Sequence, residues 1–335
     1  MGEVGGINVE RRPIRARSIR GRAVVLKKKK VVVLGATGLI GRALVRSLAK
    51  AGYEVVAVSR SAKKAARCLP TRVKIVQWDA RSPDSLLPEV DGAFALVNLA
   101  GESVTGGRWT AGKKRRILES RVDATRVLVA AIGAASEKPE VLVQGSSVGY
   151  YPAQSLTWMD EDTGPGSGFG ADVARRWEEA SLPARAHGVR LAIARTGVVL
   201  AREAGLLPAI MRPMRWFVGG IPADGLQWVS WIHLRDEIGA LRHLIENERC
   251  IGPFNLTAPA PLRMGELCRE LARRTHRPVW VPLPAWQLRL LFGRKQADET
   301  VLSDQRVIPS RLEETGFRFR FPEWRAAIAD LFARA

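Results

Sequence analysis

From residue 30 onward the chain alternates two hydrophobic rhythms. Short apolar, β-branched runs occur at Lys30 to Leu34, Glu54 to Ser59, Val73 to Gln77, Ala93 to Asn98, Val141 to Gly145 and Leu191 to Arg195. Between them lie amphipathic stretches such as Ile117 to Ile132 and Asp172 to His187, and Trp324 to Arg334 makes a last one. Strands apolar along their whole length have no solvated face. Their alternation with helices predicts βαβ units, an α/β fold with a doubly wound parallel sheet. Ligands of such sheets sit beyond the carboxyl ends of the strands, so those ends carry the candidate chemistry.

The first strand breaks directly into Gly35-Ala36-Thr37-Gly38-Leu39-Ile40-Gly41 and then into the helical pattern of Ala43, Leu44 and Leu48. A strand, a glycine turn and a helix start in that order form a Rossmann-type dinucleotide site. The first glycine permits the tight turn, the second lets the backbone approach a pyrophosphate, and the third lets helix and strand pack closely. The second strand ends in Ser59-Arg60, with Lys63 and Lys64 beyond and no acid among residues 55–70. An NAD site would offer a carboxylate to the ribose hydroxyls there, whereas Arg60 suits a 2′-phosphate, so NADP(H) is expected over NAD(H). Asp79 is a candidate for the adenine amino group. Asn98-Leu99-Ala100-Gly101 is a small-residue turn where backbone can approach the cofactor ribose.

Composition narrows the class. The 335 residues are 46% hydrophobic, enough for a full core. Residues 1–29 are expected to be a basic, disordered arm, residues 30–200 the core of the Rossmann domain, and 201–335 mainly a smaller C-terminal α/β substrate lobe with segments returning to that domain. Glycine, proline and tryptophan become dense after Gly197, as expected of short elements closing over a site, the tryptophans more as lobe core than as ligand platform. Of the net charge of +20, residues 1–30 hold +8, and the rest is scattered arginine without aromatic interleaving. That pattern favours a solvated basic surface over a nucleic-acid interface. No apolar stretch is long enough to span a bilayer, and the arm lacks the apolar segment of a secretory signal. Cys68, Cys250 and Cys268 are too few and too scattered for a disulfide framework, and the four histidines lack metal-ligand spacing. A cytoplasmic protein with a small-molecule substrate and no metal is expected.

The glycine turn, Asn98 to Gly101, Gly145-Ser-Ser-Val-Gly-Tyr-Tyr151, Arg195-Thr-Gly-Val-Val-Leu200, Gln227 to His233 and Gln305 to Arg311 together resemble an atypical extended short-chain dehydrogenase/reductase. More narrowly they resemble the "epimerase family protein" group, which carries a C-terminal domain of unknown function and is sometimes labelled a cell-division inhibitor. The resemblance runs from about residue 30 to the end. It implies a reductase or epimerase-like activity in which a Ser polarises a carbonyl, a Tyr transfers the proton, and a Lys four residues later lowers the pKa of that Tyr.

Ser147 matches the serine, with Ser146 the fallback, but the other two positions fall on Gly170 and Ala174. No lysine occurs between Lys138 and Lys295, and none of the three tyrosines has Lys four residues on, so the usual relay is absent. Tyr151, Tyr150, Asp172 and His233 are replacement proton donors, with His233 read in the first instance as structural. Arg121 stands where extended relatives place Asn; it can orient or neutralise a ligand, or serve the fold, but stays protonated, and Arg121 and Ser146 are also candidate cofactor-binding residues. Glu178 is read as a solvated helix residue. The expected function is an NADP(H)-binding atypical reductase or epimerase-like enzyme of unknown substrate, with a non-catalytic cofactor-binding sensor or scaffold as the alternative.

Overall fold

The computed structural model of the chain describes residues 1–2 and 29–333, so the expected basic arm lies almost wholly outside the described residues. Strand β1 (Lys30–Leu34) is sealed on both faces from Val31 to Leu34, as its valine run requires. It leads through α1 (Leu39–Lys50), β2 (Glu54–Ser59) and α2 (Ala62–Cys68) to β3 (Lys74–Gln77). The short α3 (Leu87–Val90) precedes β4 (Ala95–Asn98), α4 (Ala111–Ala134) and β5 (Val141–Ser147). Then come β6 (Gln154–Met159), α5 (Phe169–Ser181), β7 (Arg190–Thr196) and β8 (Val198–Leu200). The chain continues through α6 (Leu206–Arg215), β9 (Gly219–Pro222), β10 (Trp228–Val229), β11 (Trp231–His233), α7 (Leu234–Glu246) and β12 (Gly252–Leu256). Last are β13 (Leu262–Arg263), α8 (Met264–Thr275), β14 (Val279–Leu283), α9 (Ala285–Phe292), α10 (Arg294–Glu299), β15 (Asp304–Val307), α11 (Ser310–Glu314) and α12 (Trp324–Phe332).

Seven strands pair in parallel in the order β12-β7-β5-β4-β1-β2-β3. The expected α/β, doubly wound parallel sheet is therefore the fold. Helices α1 and α7 bury Leu44, Leu48, Leu241 and Leu244 on one face; α3 and α4 bury Val90, Leu128 and Ile132 on the other. Each such side chain contributes about 1.5–3 kcal/mol. The strand order reverses between β1 and β4, where Leu34 lies beside Asn98, and a crevice opens beyond those two carboxyl ends. A separate core from α6, α8, α12 and the short strand pairs surrounds the completely buried Trp231. The other tryptophans divide: Trp216, Trp280 and Trp286 are exposed.

Two helices depart from their expected bounds. α4 starts at Ala111, not Ile117: its first turns are basic and carry no apolar stripe, but Thr110 Oγ1 caps them by accepting the Lys113 N–H at 3.2 Å. α5 is α-helical only to Ser181, and residues 182–187 form a 3-10 turn because Pro183 lacks an N–H and crowds the preceding turn.

Candidate active site

The residues singled out at the strand ends lie along one edge of the sheet. Gly35 has φ +75°, and a Cβ on it would fall 2.5 Å from the Leu99 carbonyl oxygen; on Gly41 a Cβ would meet the Gly35 oxygen at 2.3 Å. Those two glycines are demanded by the protein itself. Gly38 is not: a Cβ there would come no closer than 3.4 Å to any other part of the chain. The α1 helix starts at Gly38 with no side-chain cap and no acid in its first turn, leaving its N-terminal N–H groups and partial positive charge for an anion. Ala36 is buried beneath the turn, while Thr37, Leu39 and Ile40 are half-exposed around it.

Ser59 is nearly buried, and Arg60 projects as an exposed residue beyond β2. Asp79 is exposed and closes a local turn by accepting the Arg81 N–H. The Asn98 side chain is wholly buried: its amide donates to Thr125 Oγ1 at 2.9 Å and Gln144 Oε1 at 3.0 Å, and its oxygen accepts the Ala100 N–H. Asn98 therefore shapes the turn from 98 to 101 and presents backbone, not side chain, to the crevice.

A cavity of about 320 Å³ adjoins the glycine turn. Ile40 and Leu99 form the side toward the turn, Ser146 and Ser147 end β5, Thr196 and Gly197 end β7, and Ile117 and Arg121 come from α4. Helix α5 supplies Phe169, Gly170, Val173, Ala174 and Trp177. Gly170 and Ala174, the residues expected at the relay positions of the Tyr and Lys, thus face the cavity one helical turn apart, and they fill it with almost nothing. Val104 and Trp109 close the remaining side; Trp109 sits edge-on to Phe169 at 4.9 Å between centroids. The C-terminal lobe holds both: Gln296 accepts the Trp109 N–H, and Glu299 accepts the Gly170 N–H at 2.7 Å.

The three wall hydroxyls differ. Ser146 donates to Glu178 Oε1 at 2.6 Å and Thr196 to Glu237 Oε1 at 2.9 Å, whereas Ser147 has no side-chain hydrogen bond among the described residues. Arg121 packs its guanidinium where a Cβ on Gly101 would lie, 2.8 Å from its Cζ, and 5.0 Å from the Trp177 ring. Burial pulls its pKa down to about 10, which Glu102 partly opposes, so it remains a cation.

Several expected donors are elsewhere. Tyr151 is 1% exposed and does not line the cavity: its hydroxyl donates to Asn255 Oδ1 at 2.7 Å and accepts from Arg195 at 2.9 Å. Burial pushes its pKa up to about 12 against the pull of Arg195, and its hydroxyl, engaged by Asn255 and Arg195 in the core, is not placed to reach the cavity. Tyr150 lies flat against the Arg195 guanidinium, 3.6 Å from Cζ to the ring centroid. Asp172 points to the surface, bound to Arg175 and Arg176. His233 caps α7 by accepting the Arg235 N–H on Nδ1, and burial lowers its pKa to about 4. Its Nε2 lies 3.5 Å from Asp330 but is too poorly aligned for a hydrogen bond.

Glu178 reverses its expected role. It is buried and clamped by Arg195, a residue sequence reasoning passed over. The signal was present: Ala174, Trp177, Glu178 and Ser181 form one helical stripe, so Glu178 occupies a core position that a solvated acid would not take.

Residues 31–256 match the model of the NAD dependent epimerase/dehydratase family, and residues 283–331 match the domain of unknown function DUF1731. The chain belongs to this epimerase/dehydratase family. Among its relatives, the epimerase family protein YfhF of Bacillus subtilis is 34% identical over 306 residues, spanning 90% of this chain and 98% of that protein. The chloroplastic SDR39U1 homolog of Arabidopsis thaliana is 35% identical over 300 residues, covering 87% of this chain and 83% of its own length. The crystal structure of human epimerase family protein SDR39U1 with NADPH superposes with a TM-score of 0.80 at 30% identity, covering 91% of this chain and all of that one. A dTDP-glucose 4,6-dehydratase from Streptomyces venezuelae, at 18% identity and a TM-score of 0.75 over 91% of this chain and 96% of that one, shares the fold. No helix among the described residues of this family member is long and apolar enough to cross a membrane.

Proposed function

We propose that the chain is an NADP(H)-dependent reductase or epimerase-like enzyme acting on a small molecule without the Tyr-Lys relay. The observation that carries this reading is the cavity between the glycine turn and the unengaged Ser147 hydroxyl. The residues fit a dinucleotide: Gly38 leaves unfilled the space its Cβ would take, and the first turn of α1 is uncapped. Gly35 to Gly41 would hold the diphosphate, Ser59 and Arg60 the phosphorylated ribose, Asp79 the adenine, and Asn98 to Gly101 the nicotinamide ribose. The cofactor, when bound, supplies a hydride acceptor or donor.

Ser147 would hold a substrate carbonyl oxygen by hydrogen bond, strengthening as charge develops there. Asn98, Glu178 and Arg195 hold the β4 and β5 ends rigid beneath it, and Trp109, Phe169 and Trp177 exclude water. NADPH bound to the related human protein supports the choice of cofactor. The three unpaired cysteines support a cytoplasmic setting. A second reading, a cofactor-binding sensor without turnover, draws on Gly170 and Ala174 leaving the cavity without a side chain to donate a proton from the relay position.

The test is turnover of NADPH across a panel of small aldehydes and ketones, with Ser147→Ala alongside. The enzyme reading expects a consumed carbonyl and a loss of roughly 10²-fold in turnover at unchanged NADPH affinity. Tight NADPH binding with no turnover of any carbonyl would favour the sensor.

A further inference from the structure

Arg121 is the one charged residue in the cavity wall, and among the described residues no carboxylate lies within 4.0 Å of it. Glu102, the acid whose charge acts on Arg121, is engaged by Lys113 at 2.8 Å and Arg116 at 3.4 Å. A desolvated cation whose nearby counter-charge is already bound by two other cations is costly, and proteins retain one where a ligand completes it. The guanidinium is also held in place. Its Nη1 donates to the Glu102 and Ile117 carbonyls at 2.9 and 3.0 Å, and its face packs against Gly101 and Trp177. Nε and Nη2 have no partner among the described residues and neither is fully buried, and Arg121 is one of the residues lining the cavity. Those two N–H groups form the edge of the guanidinium that matches a carboxylate with two parallel hydrogen bonds.

The rest of the wall fixes what the anion is attached to. Trp109, Phe169, Trp177, Ile117 and Val173 are apolar, and the cavity is at the small end of ligand pockets. The Lys114 ammonium lies 5.1 Å from the Phe169 centroid, which adds positive potential at the same side.

We infer that the substrate is a small carboxylate with an apolar, flat body, its carboxylate received by the Nε–Nη2 edge of Arg121 and its body held among Trp109, Phe169 and Trp177. This rests on the enzyme reading above and names its substrate class. It also gives Gly101 a reason: any side chain there would displace the guanidinium.

Calorimetric titration of the full chain, saturated with NADP⁺, with benzoate and with the uncharged benzamide tests it. Benzoate should bind roughly tenfold or more tighter than benzamide. Arg121→Met should lose that preference while keeping NADPH affinity, which also shows that the variant is folded; Arg121→Lys should keep part of it. Equal binding of benzoate and benzamide by the wild type, or an unchanged preference in Arg121→Met, would overturn the inference. So would a parallel loss of NADPH and benzoate, because Arg121 would then serve the cofactor. If the wild type takes no NADPH the proposed function falls by itself, and benzoate selectivity of the cofactor-free chain still decides the role of Arg121.

Discussion

Arg195 grips Glu178 through two parallel hydrogen bonds, Nε to Oε1 and Nη2 to Oε2, both 2.9 Å, in the buried layer directly behind the β5 end. Burial alone would lower the pKa of the guanidinium; the Glu178 carboxylate and the Tyr151 hydroxyl more than reverse that. The pair joins α5 to β7 and, through Ser146 and Tyr151, fixes the strand end that carries Ser147.

Removing one partner leaves the other as an uncompensated buried charge, at a cost of about 3–5 kcal/mol. Arg195→Met and Glu178→Met should each lose that much in urea unfolding, and the double variant should recover a large part. Strictly additive losses would show that the two residues do not act as a pair.

This pair also shows where sequence reading stops. Valine runs, glycines and strand-end polar residues were legible because each reports a local requirement: continuous burial, a left-handed turn, a close backbone approach. The β1, β2 and β4 strands and the glycine turn stand where such requirements put them. Which side of a strand end a side chain faces depends on contacts between distant segments. Tyr151 is one of the replacement proton donors in the sequence, yet Asn255 and Arg195, 104 and 44 residues away, draw its hydroxyl into the core. Thr196 and Trp177 entered the cavity wall by the same long-range route.

Gly38 and Gly41 differ in what an added Cβ would meet. Alanine at Gly41 would drive its Cβ into the Gly35 carbonyl oxygen at 2.3 Å, and a backbone atom cannot yield cheaply. A loss of about 1–3 kcal/mol or more is expected, read as a lower melting temperature. Gly38 has φ −72°, so alanine there meets no strain and no contact shorter than 3.4 Å. Gly38→Ala should keep most of its stability yet bind NADPH roughly tenfold or more weakly in calorimetry. Unimpaired NADPH binding by Gly38→Ala would remove the diphosphate from that turn.

Arg60 is the residue on which the proposed preference between dinucleotides rests. It stands exposed at the β2 end with no acid among residues 55–70, where a carboxylate would repel a 2′-phosphate. A charge-assisted contact there contributes about 1.5–3 kcal/mol, or roughly 10- to 100-fold in affinity. NADPH should bind at least about tenfold tighter than NADH, and Arg60→Ala should erase most of the difference by weakening NADPH alone. Equal affinities in the wild type would rule out the preference.

Glu237 sets a pH dependence of stability. It is completely buried in the first turn of α7; Oε1 accepts the Thr196 hydroxyl, and Oε2 has no partner among the described residues. Burial pushes its pKa up to about 8 from an ordinary 4.5, with the Thr196 hydrogen bond opposing. Between those values the folded chain holds a proton that the unfolded chain releases. The contribution to stability is therefore fully present below the unfolded pKa and is lost as pH rises toward the folded one, at about 1.4 kcal/mol per pH unit. Glu161 and Asp236, also raised by burial, add slopes of the same sign. Glu237→Gln keeps the acceptor for Thr196 and has no proton to lose, so its urea midpoint should fall less steeply than that of the wild type from about pH 5 to about pH 8. The advantage of the variant should grow with pH across that window. Parallel curves would mean that Glu237 is already ionised in the folded protein, and that Thr196 faces the cavity backed by a charge.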